Sequence, residues 1–234
     1  MRLLFALACF SFSMPHSLAD DGEHKSRYVR ATIGLNGPDE FNAVSPLEPG
    51  NPNLALQITE QTIETQAGIT TGAAIGYDFA RNFSLEAEYR FFRNSVDQIE
   101  PLSGFDPATG DLPGLMEDAD GAVRTHALLA NIVYDFGETG RFRPFISAGL
   151  GAARVDPIGG ISFLNPDSQA DWTLAYQGRI GFSYAVRKTV AVGLDYAFFG
   201  ATDPSFSIPG LDGEAANLDG PTSGTFNLFI EKRF

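Results

Sequence analysis

The sequence predicts an all-β fold: an eight-stranded antiparallel up-and-down barrel that crosses a membrane, with four long connections at one end and three short turns at the other. Three observations carry this. Runs of apolar and polar residues in strict alternation recur along the chain, the period-two signature of strands with two unlike faces. The best runs reach about eleven residues, the length a tilted strand needs to cross a bilayer. Aromatic residues gather at both ends of the apolar face, as the two girdles of a membrane barrel require.

The chain opens with Arg2, a short apolar run from Leu3 to Met14, and Ser17-Leu18-Ala19 as a small-x-small cleavage site, so residues 1–19 read as a secretory leader. Residues 20–27 then form an amino-terminal periplasmic tail and residues 28–234 one barrel domain. Cys9, the single cysteine, falls in the leader, so the remaining chain needs no redox assumption. No run after Ala19 approaches the roughly eighteen apolar residues of a membrane helix. A formal net charge of −13 makes nucleic acid a poor partner.

The pattern is clearest between Gly68 and Arg93. Ile69, Thr71, Ala73, Ile75, Tyr77 and Phe79 alternate with small or polar residues, and Phe83, Leu85, Ala87, Tyr89 and Phe91 alternate with Ser84, Glu86, Glu88 and Arg90. The link Ala80-Arg81-Asn82 has a common hairpin length. The other runs are Tyr28 to Asn36, Arg124 to Phe136, Phe142 to Arg154, Trp172 to Tyr184, Val190 to Phe199 and Thr225 to Phe234. Pro144 stands near the start of its run, where a missing N–H is tolerated. IGYDFARNF, IVYDFGETGRF and FSYAVRKTV repeat one phrase, a strand end followed by a short turn. Leu54, Leu56 and Ile58 alternate inside the first long connection and are expected to extend a strand above the membrane.

Connections alternate long and short, the habit of outer-membrane barrels, with long ones outside and both termini in the periplasm. Charge follows the same map: the four long segments hold nineteen acidic residues and no Lys or Arg, while the short turns carry Arg81, Arg141, Arg143, Arg187 and Lys188.

Tyr77-Asp78-Phe79, Tyr89-Arg90-Phe91, Gly149-Leu150-Gly151 and the closing Glu231-Lys232-Arg233-Phe234 give the chain a resemblance to the small outer-membrane β-barrel family. That family includes opacity-type proteins, porin-family surface antigens and the membrane domain of outer-membrane protein A. The resemblance implies an integral place in the cell outer membrane. Phe226, Leu228, Ile230 and Phe234 are similar to the signal read by the barrel-assembly machinery, which is the implied assembly partner; Lys232 departs from it, an apolar or aromatic residue being usual there.

Eight strands enclose a lumen just wide enough for side chains to fill. The inward parity carries Arg30, Arg90, Arg179 and Arg233 with Asp78, Glu86, Glu88, Asp135, Asp195 and Glu231, and confined charges are costly unless paired. A salt-bridged plug is therefore expected. A three-residue turn at Val186 to Lys188 would set Arg179 opposite Asp195. Arg93, Arg124 and Arg154 fall on the lipid-facing parity at the extracellular ends of successive strands, where guanidinium groups can fork onto lipopolysaccharide phosphates.

No enzyme is expected. His24 and His126 are the only histidines after the leader, and His126 is followed by Ala127 and Leu128, without the serine a lipid-hydrolysing triad would need. Asp118-Ala119-Asp120-Gly121 suggests calcium, but Met116 and Ala127 stand where that loop motif needs carboxylates, and no helix follows Gly149-Leu150-Gly151. No cofactor or metal is expected. The favoured reading is a monomeric surface barrel that supports envelope integrity or surface interaction. A small-solute pore, or a loop-mediated binder of a host factor or haem, stays open at this level.

Overall fold

The computed structural model describes residues 26–37, 40–44, 57–105, 117–137, 140–159, 172–203, 205–207, 215–218 and 220–234. Its strands are β1 (Arg27–Asn36), β2 (Glu40–Val44), β3 (Gln57–Thr65), β4 (Gly68–Ala80), β5 (Phe83–Phe105), β6 (Glu117–Asp135), β7 (Phe142–Gly159), β8 (Trp172–Arg187), β9 (Val190–Ala201), β10 (Ser205–Ser207), β11 (Ala215–Leu218) and β12 (Thr222–Arg233). Eight of them, β1, β4, β5, β6, β7, β8, β9 and β12, pair antiparallel in that order, and β12 returns to β1 to close the ring. Closure leaves no membrane-facing edge with unpaired N–H and C=O groups, the condition for crossing hydrocarbon with strands.

The four remaining strands stay outside the ring. β3 pairs with the distal part of β5, β2 with β3, β11 with β2 and β10 with β11, continuing the sheet beyond the barrel. β3 takes in Ile58 from the expected extension; Leu54 and Leu56 lie outside the described residues. The pairing of β3 with β5 shifts register between Ile58 and Glu60, Glu60 and Gln61, and Glu64 and Thr65; the first shift adds a residue to β3 and breaks the period-two rhythm that would mark it in sequence, and the other two add residues to β5. At 23 residues, β5 runs twelve positions past the Arg93 end of its sequence run. At ~3.3 Å per residue it stretches over roughly 75 Å, more than twice the ~30 Å hydrocarbon thickness.

The two faces are inverted relative to a soluble protein. Arg90 is 0 % exposed while Phe226, on the outer face, is 72 % exposed. Along β1 every even-numbered residue from Tyr28 to Asn36 is buried and every odd-numbered one exposed. The exposed set includes Ile33, Ile75, Leu85, Leu128, Ile132, Leu150, Leu174, Ile180, Leu194 and Leu228, a band of apolar surface that only acyl chains can cover. Aromatic residues edge it. Phe79, Phe83, Tyr134 and Phe136 form a chain of ring contacts near the short turns, with Phe83 and Tyr134 at 4.9 Å and Tyr134 and Phe136 at 5.0 Å. Tyr176 with Phe198 and Tyr196 with Phe226 make similar contacts farther up the wall.

Short turns fix the register. In the first hairpin Asp78 pairs with Ser84 and Ala80 with Phe83, so a bulge at Phe79 absorbs one residue. In the β8–β9 hairpin the same shift occurs at Val186, between the pairs Ala185 with Ala191 and Arg187 with Val190. The β6–β7 turn contains Gly140 at φ 133°, a backbone conformation side chains rarely adopt. The lumen is narrow enough that inward glycines make room for rings: a Cβ on Gly76 would fall inside the Tyr28 ring, and one on Gly193 against Phe229.

Candidate functional site

The lumen is filled by a network centred on Glu86. One carboxylate oxygen lies 2.9 Å from Arg30 Nη1, and the other accepts a hydrogen bond from Arg179 Nη2. Arg30 Nη2 also donates to Glu231 Oε2 at 2.9 Å, and Arg179 Nη2 to Ser147 Oγ at 3.2 Å. Glu88 forms a second centre, 3.0 Å from Arg90 Nε and 3.8 Å from Arg179 Nη1. It also accepts from Asn131 Nδ2 at 2.8 Å and Gln177 Nε2 at 2.5 Å. Arg179 thus lies between two carboxylates that each serve a further arginine.

Aromatic rings enclose the cations. The Arg30 guanidinium carbon lies 4.5 Å from the Phe229 ring centroid, 5.3 Å from Phe145 and 5.5 Å from Tyr28, contacts that favour a desolvated cation. Nearer the short turns, Arg233 Nη1 is 2.5 Å from Asp78 Oδ2, and its Nε donates to Glu231 Oε1 at 2.8 Å. On the other side of the charged layer, Phe92 and Phe199 stack at 4.6 Å within a buried apolar cluster with Ala127, Leu129, Ala153, Ala175 and Ala201. A charged layer and an aromatic layer therefore lie in series along the barrel axis.

The rim arginines stand on the outer face. Arg93 is exposed and pairs in register with half-buried Arg124; Arg124 pairs in turn with Asp156. Arg154 donates from Nε to Asp156 Oδ1 at 3.0 Å. His126 Nε2 lies 3.9 Å from Asp156 Oδ2, its Nδ1 shares a hydrogen bond with Tyr89 OH at 2.7 Å, and its ring lies 5.0 Å from Phe91. Three arginines and one carboxylate on one lipid-facing patch leave it cationic.

Residues 4–228 match the family model of the outer membrane protein beta-barrel domain. The chain belongs to this family. It is an integral outer-membrane protein. Over 168 residues, 68 % of this chain and 69 % of the relative, it is 30 % identical to outer membrane protein PagN of Salmonella typhimurium. Among solved structures it is similar to the outer membrane protein OprG from Pseudomonas aeruginosa, with a TM-score of 0.58 and 15 % identity over 90 % of this chain and 96 % of that one.

Within this outer-membrane barrel, the expectation that Arg179 faces Asp195 is overturned. Arg179 pairs in register with Ala197 and Asp195 with Gly181, a displacement of two residues. The cause lies in the turn: Arg187 pairs with Val190, so the link is the two residues Lys188 and Thr189, and the bulge falls at Val186 as its counterpart falls at Phe79. Arg179 turns to Glu86 and Glu88, while Asp195 accepts from Asn227 Nδ2 at 2.7 Å. Asp135 is half-buried on the inward side and has no ion pair among the described residues. Phe226, Leu228, Ile230 and Phe234 all stand on the outer face, 72, 54, 52 and 67 % exposed.

Sequence reasoning passes over the neutral members of the plug. Gln177, Asn131, Ser147 and Asn227 carry the inward parity, but nothing in a single sequence separates a polar residue that bridges two charges from one that merely tolerates burial. Asp156 is missed for a different reason: it lies in a segment read as a connection, whereas β7 continues to Gly159 and places it on the rim.

Removing the shared carboxylate leaves two guanidinium groups facing each other in a low-dielectric interior. Glu86→Ala is expected to lower the free energy of unfolding of the vesicle-embedded barrel by about 3–5 kcal/mol, the usual cost of breaking a buried pair. Urea titration checks it, with Arg141→Gln on an exposed turn as a control expected to stay within about 0.5 kcal/mol of the parent.

Proposed function

We propose that this protein is a closed, monomeric surface barrel that holds acid-rich segments above the outer membrane and supports envelope integrity or surface contact, without conducting solutes. The observation that carries this is Glu86, shared between Arg30 and Arg179, with all three side chains no more than 4 % exposed. Opening a path would require separating these charges inside a medium that solvates them poorly, so a closed lumen is the resting state. In this reading the short turns lie in the periplasm. β5, β6 and β7 project outward with the long connections, whose acidic residues repel one another and anionic neighbours.

Arg93, Arg124 and Arg154 support a second element of the reading, attachment to the phosphates of outer-leaflet lipopolysaccharide. Arg93 and Arg124 are like charges directly opposite on adjacent strands, an arrangement that is unfavourable until an anion lies between them. In this reading the role is not enzymatic, and His126 belongs to the outward patch, beside Tyr89, Phe91 and Asp156. The apolar outer face of β12 supports assembly by the barrel-assembly machinery as part of this reading.

Vesicles carrying the folded protein are expected to swell in small sugars no faster than protein-free vesicles; rapid swelling, together with steady nanosiemens openings in a planar bilayer, would establish a pore instead. Changing Arg93, Arg124 and Arg154 together to Gln is expected to strip most of the lipopolysaccharide that co-purifies with the barrel. Unchanged lipid content would leave these residues with no role beyond solvation of the rim.

A further inference from the structure

Lys232 stands among the apolar residues of the outer face of β12. It shares its parity with Phe226, Leu228 and Ile230, is exposed, and pairs in register with Val29 on one side and Val190 on the other. A lysine on a lipid-facing strand is costly toward the bilayer centre and tolerated near the headgroups. Phe234, two residues on, presents its ring centroid 5.1 Å from Lys232 Nζ.

A second cation lies beside it. Arg27, at the start of β1, is exposed on the outer parity and pairs with Tyr77, and its carbonyl accepts a hydrogen bond from Phe234 N at 2.8 Å. Since Val29 faces Lys232, Arg27 and Lys232 are diagonal neighbours across the seam where the first and last strands meet, a relation that sets Cα atoms ~7–8 Å apart. Neither has an ion-pairing carboxylate among the described residues. Asp156, a carboxylate on the outer parity, stands at the opposite end of the wall. The β8–β9 turn adjoins the same seam, because Arg233 N donates to Thr189 O at 2.8 Å, and it adds exposed Arg187 and Lys188.

We propose that Arg27 and Lys232 form a binding site for the phosphate of an anionic phospholipid in the leaflet that surrounds the short turns. The geometry suits a phosphodiester: two cations on neighbouring strands, at the depth marked by Tyr77, Phe79 and Phe234, over an apolar wall of Val29, Val190 and Ile75 that receives the acyl chains. A bound phosphate relieves the repulsion between the two cations, and a negatively charged headgroup is favoured over a zwitterionic one because it brings no ammonium of its own. The site also gives Lys232 a reason to replace the apolar residue usual at that position. Assigning it to the periplasmic leaflet rests on the orientation proposed above; the binding itself does not.

The test uses the full barrel refolded in detergent, with Arg93, Arg124 and Arg154 already changed to Gln so that the opposite rim contributes no anion site. Native mass spectrometry then titrates phosphatidylglycerol and phosphatidylcholine onto this parent and onto its Arg27→Gln, Lys232→Gln, Lys232→Arg, paired Arg27→Gln/Lys232→Gln and Arg141→Gln derivatives, each verified as folded by heat-modifiable migration. The parent is expected to prefer phosphatidylglycerol, and each cation removed from the seam to weaken that preference by about five-fold. Lys232→Arg and Arg141→Gln are expected to keep it. Equal affinity in the parent and the paired variant, an equal loss from Arg141→Gln, or displacement of the lipid by millimolar inorganic phosphate would overturn the proposal. Should the Lys232 variants fail to fold, Arg27→Gln alone decides it, since Arg27 lies outside the carboxy-terminal strand.

Discussion

A single carboxylate shared by two arginines organises this barrel. Glu86 on β5 meets Arg30 from β1 and Arg179 from β8, and Arg30 continues to Glu231 on β12. Each of these groups was hydrated in the unfolded chain, and the lumen offers no equivalent solvent. Their burial is tolerable because they arrive together: among the described inward residues, Arg30, Arg90, Arg143, Arg179 and Arg233 stand against Asp78, Glu86, Glu88, Asp135, Asp195 and Glu231, close to charge balance. The same requirement constrains register. A slip of one residue between β1 and β12 would turn Arg30 toward lipid, and a slip of two would carry it past Glu231, so strand pairing and charge pairing specify each other. The aromatic rings around Arg30 and the glycines that admit them, Gly76 and Gly193, follow from fitting this network into a narrow tube.

The outer face answers to a different solvent. Nothing in the ring covers Leu228, Ile230 or Phe226, and acyl chains supply the missing partner. At the two ends, where hydrocarbon gives way to headgroups, the wall changes from aliphatic to aromatic and then to cationic. The rim bears Arg93, Arg124 and Arg154, tempered by Asp156; the seam bears Arg27 and Lys232, neither in an ion pair with a described carboxylate. Above the rim the acidic segments begin. The described wall thus presents cations at both ends of its apolar band, with Asp156 beside those of the rim.

Much of this was legible in the residues. The alternation from Ile69 to Phe91 assigns two full strands and both of their faces, because one missed residue would exchange the faces. The inward charges could be named for the same reason. Other features were hidden by bulges. The bulge in β3 between Ile58 and Glu60 puts Ile58 and Ile63 an odd five positions apart and breaks its rhythm, and the turn with its bulge at Val186 moves the β8–β9 register by two from the expected one. Aligning Tyr184-Ala185-Val186 with Tyr77-Asp78-Phe79 matches Arg187 to Ala80 and places the two-residue link at Lys188 and Thr189. Which arginine meets which carboxylate across the lumen was not legible, since partners such as Arg179 and Glu86 lie 93 positions apart and their meeting depends on barrel stagger.

The most direct measurement is a double-mutant cycle between Glu86 and Arg179 in vesicle-embedded protein, using Gln at position 86 and Met at position 179 and comparing unfolding free energies of the parent, both single variants and the pair. Charges that meet across the lumen should couple by about 1.5 kcal/mol or more, the pair being less destabilised than the sum of its parts. Additive effects, with coupling near zero, would mean that the two side chains do not share the centre of the barrel and would contradict a lumen held shut by their pairing.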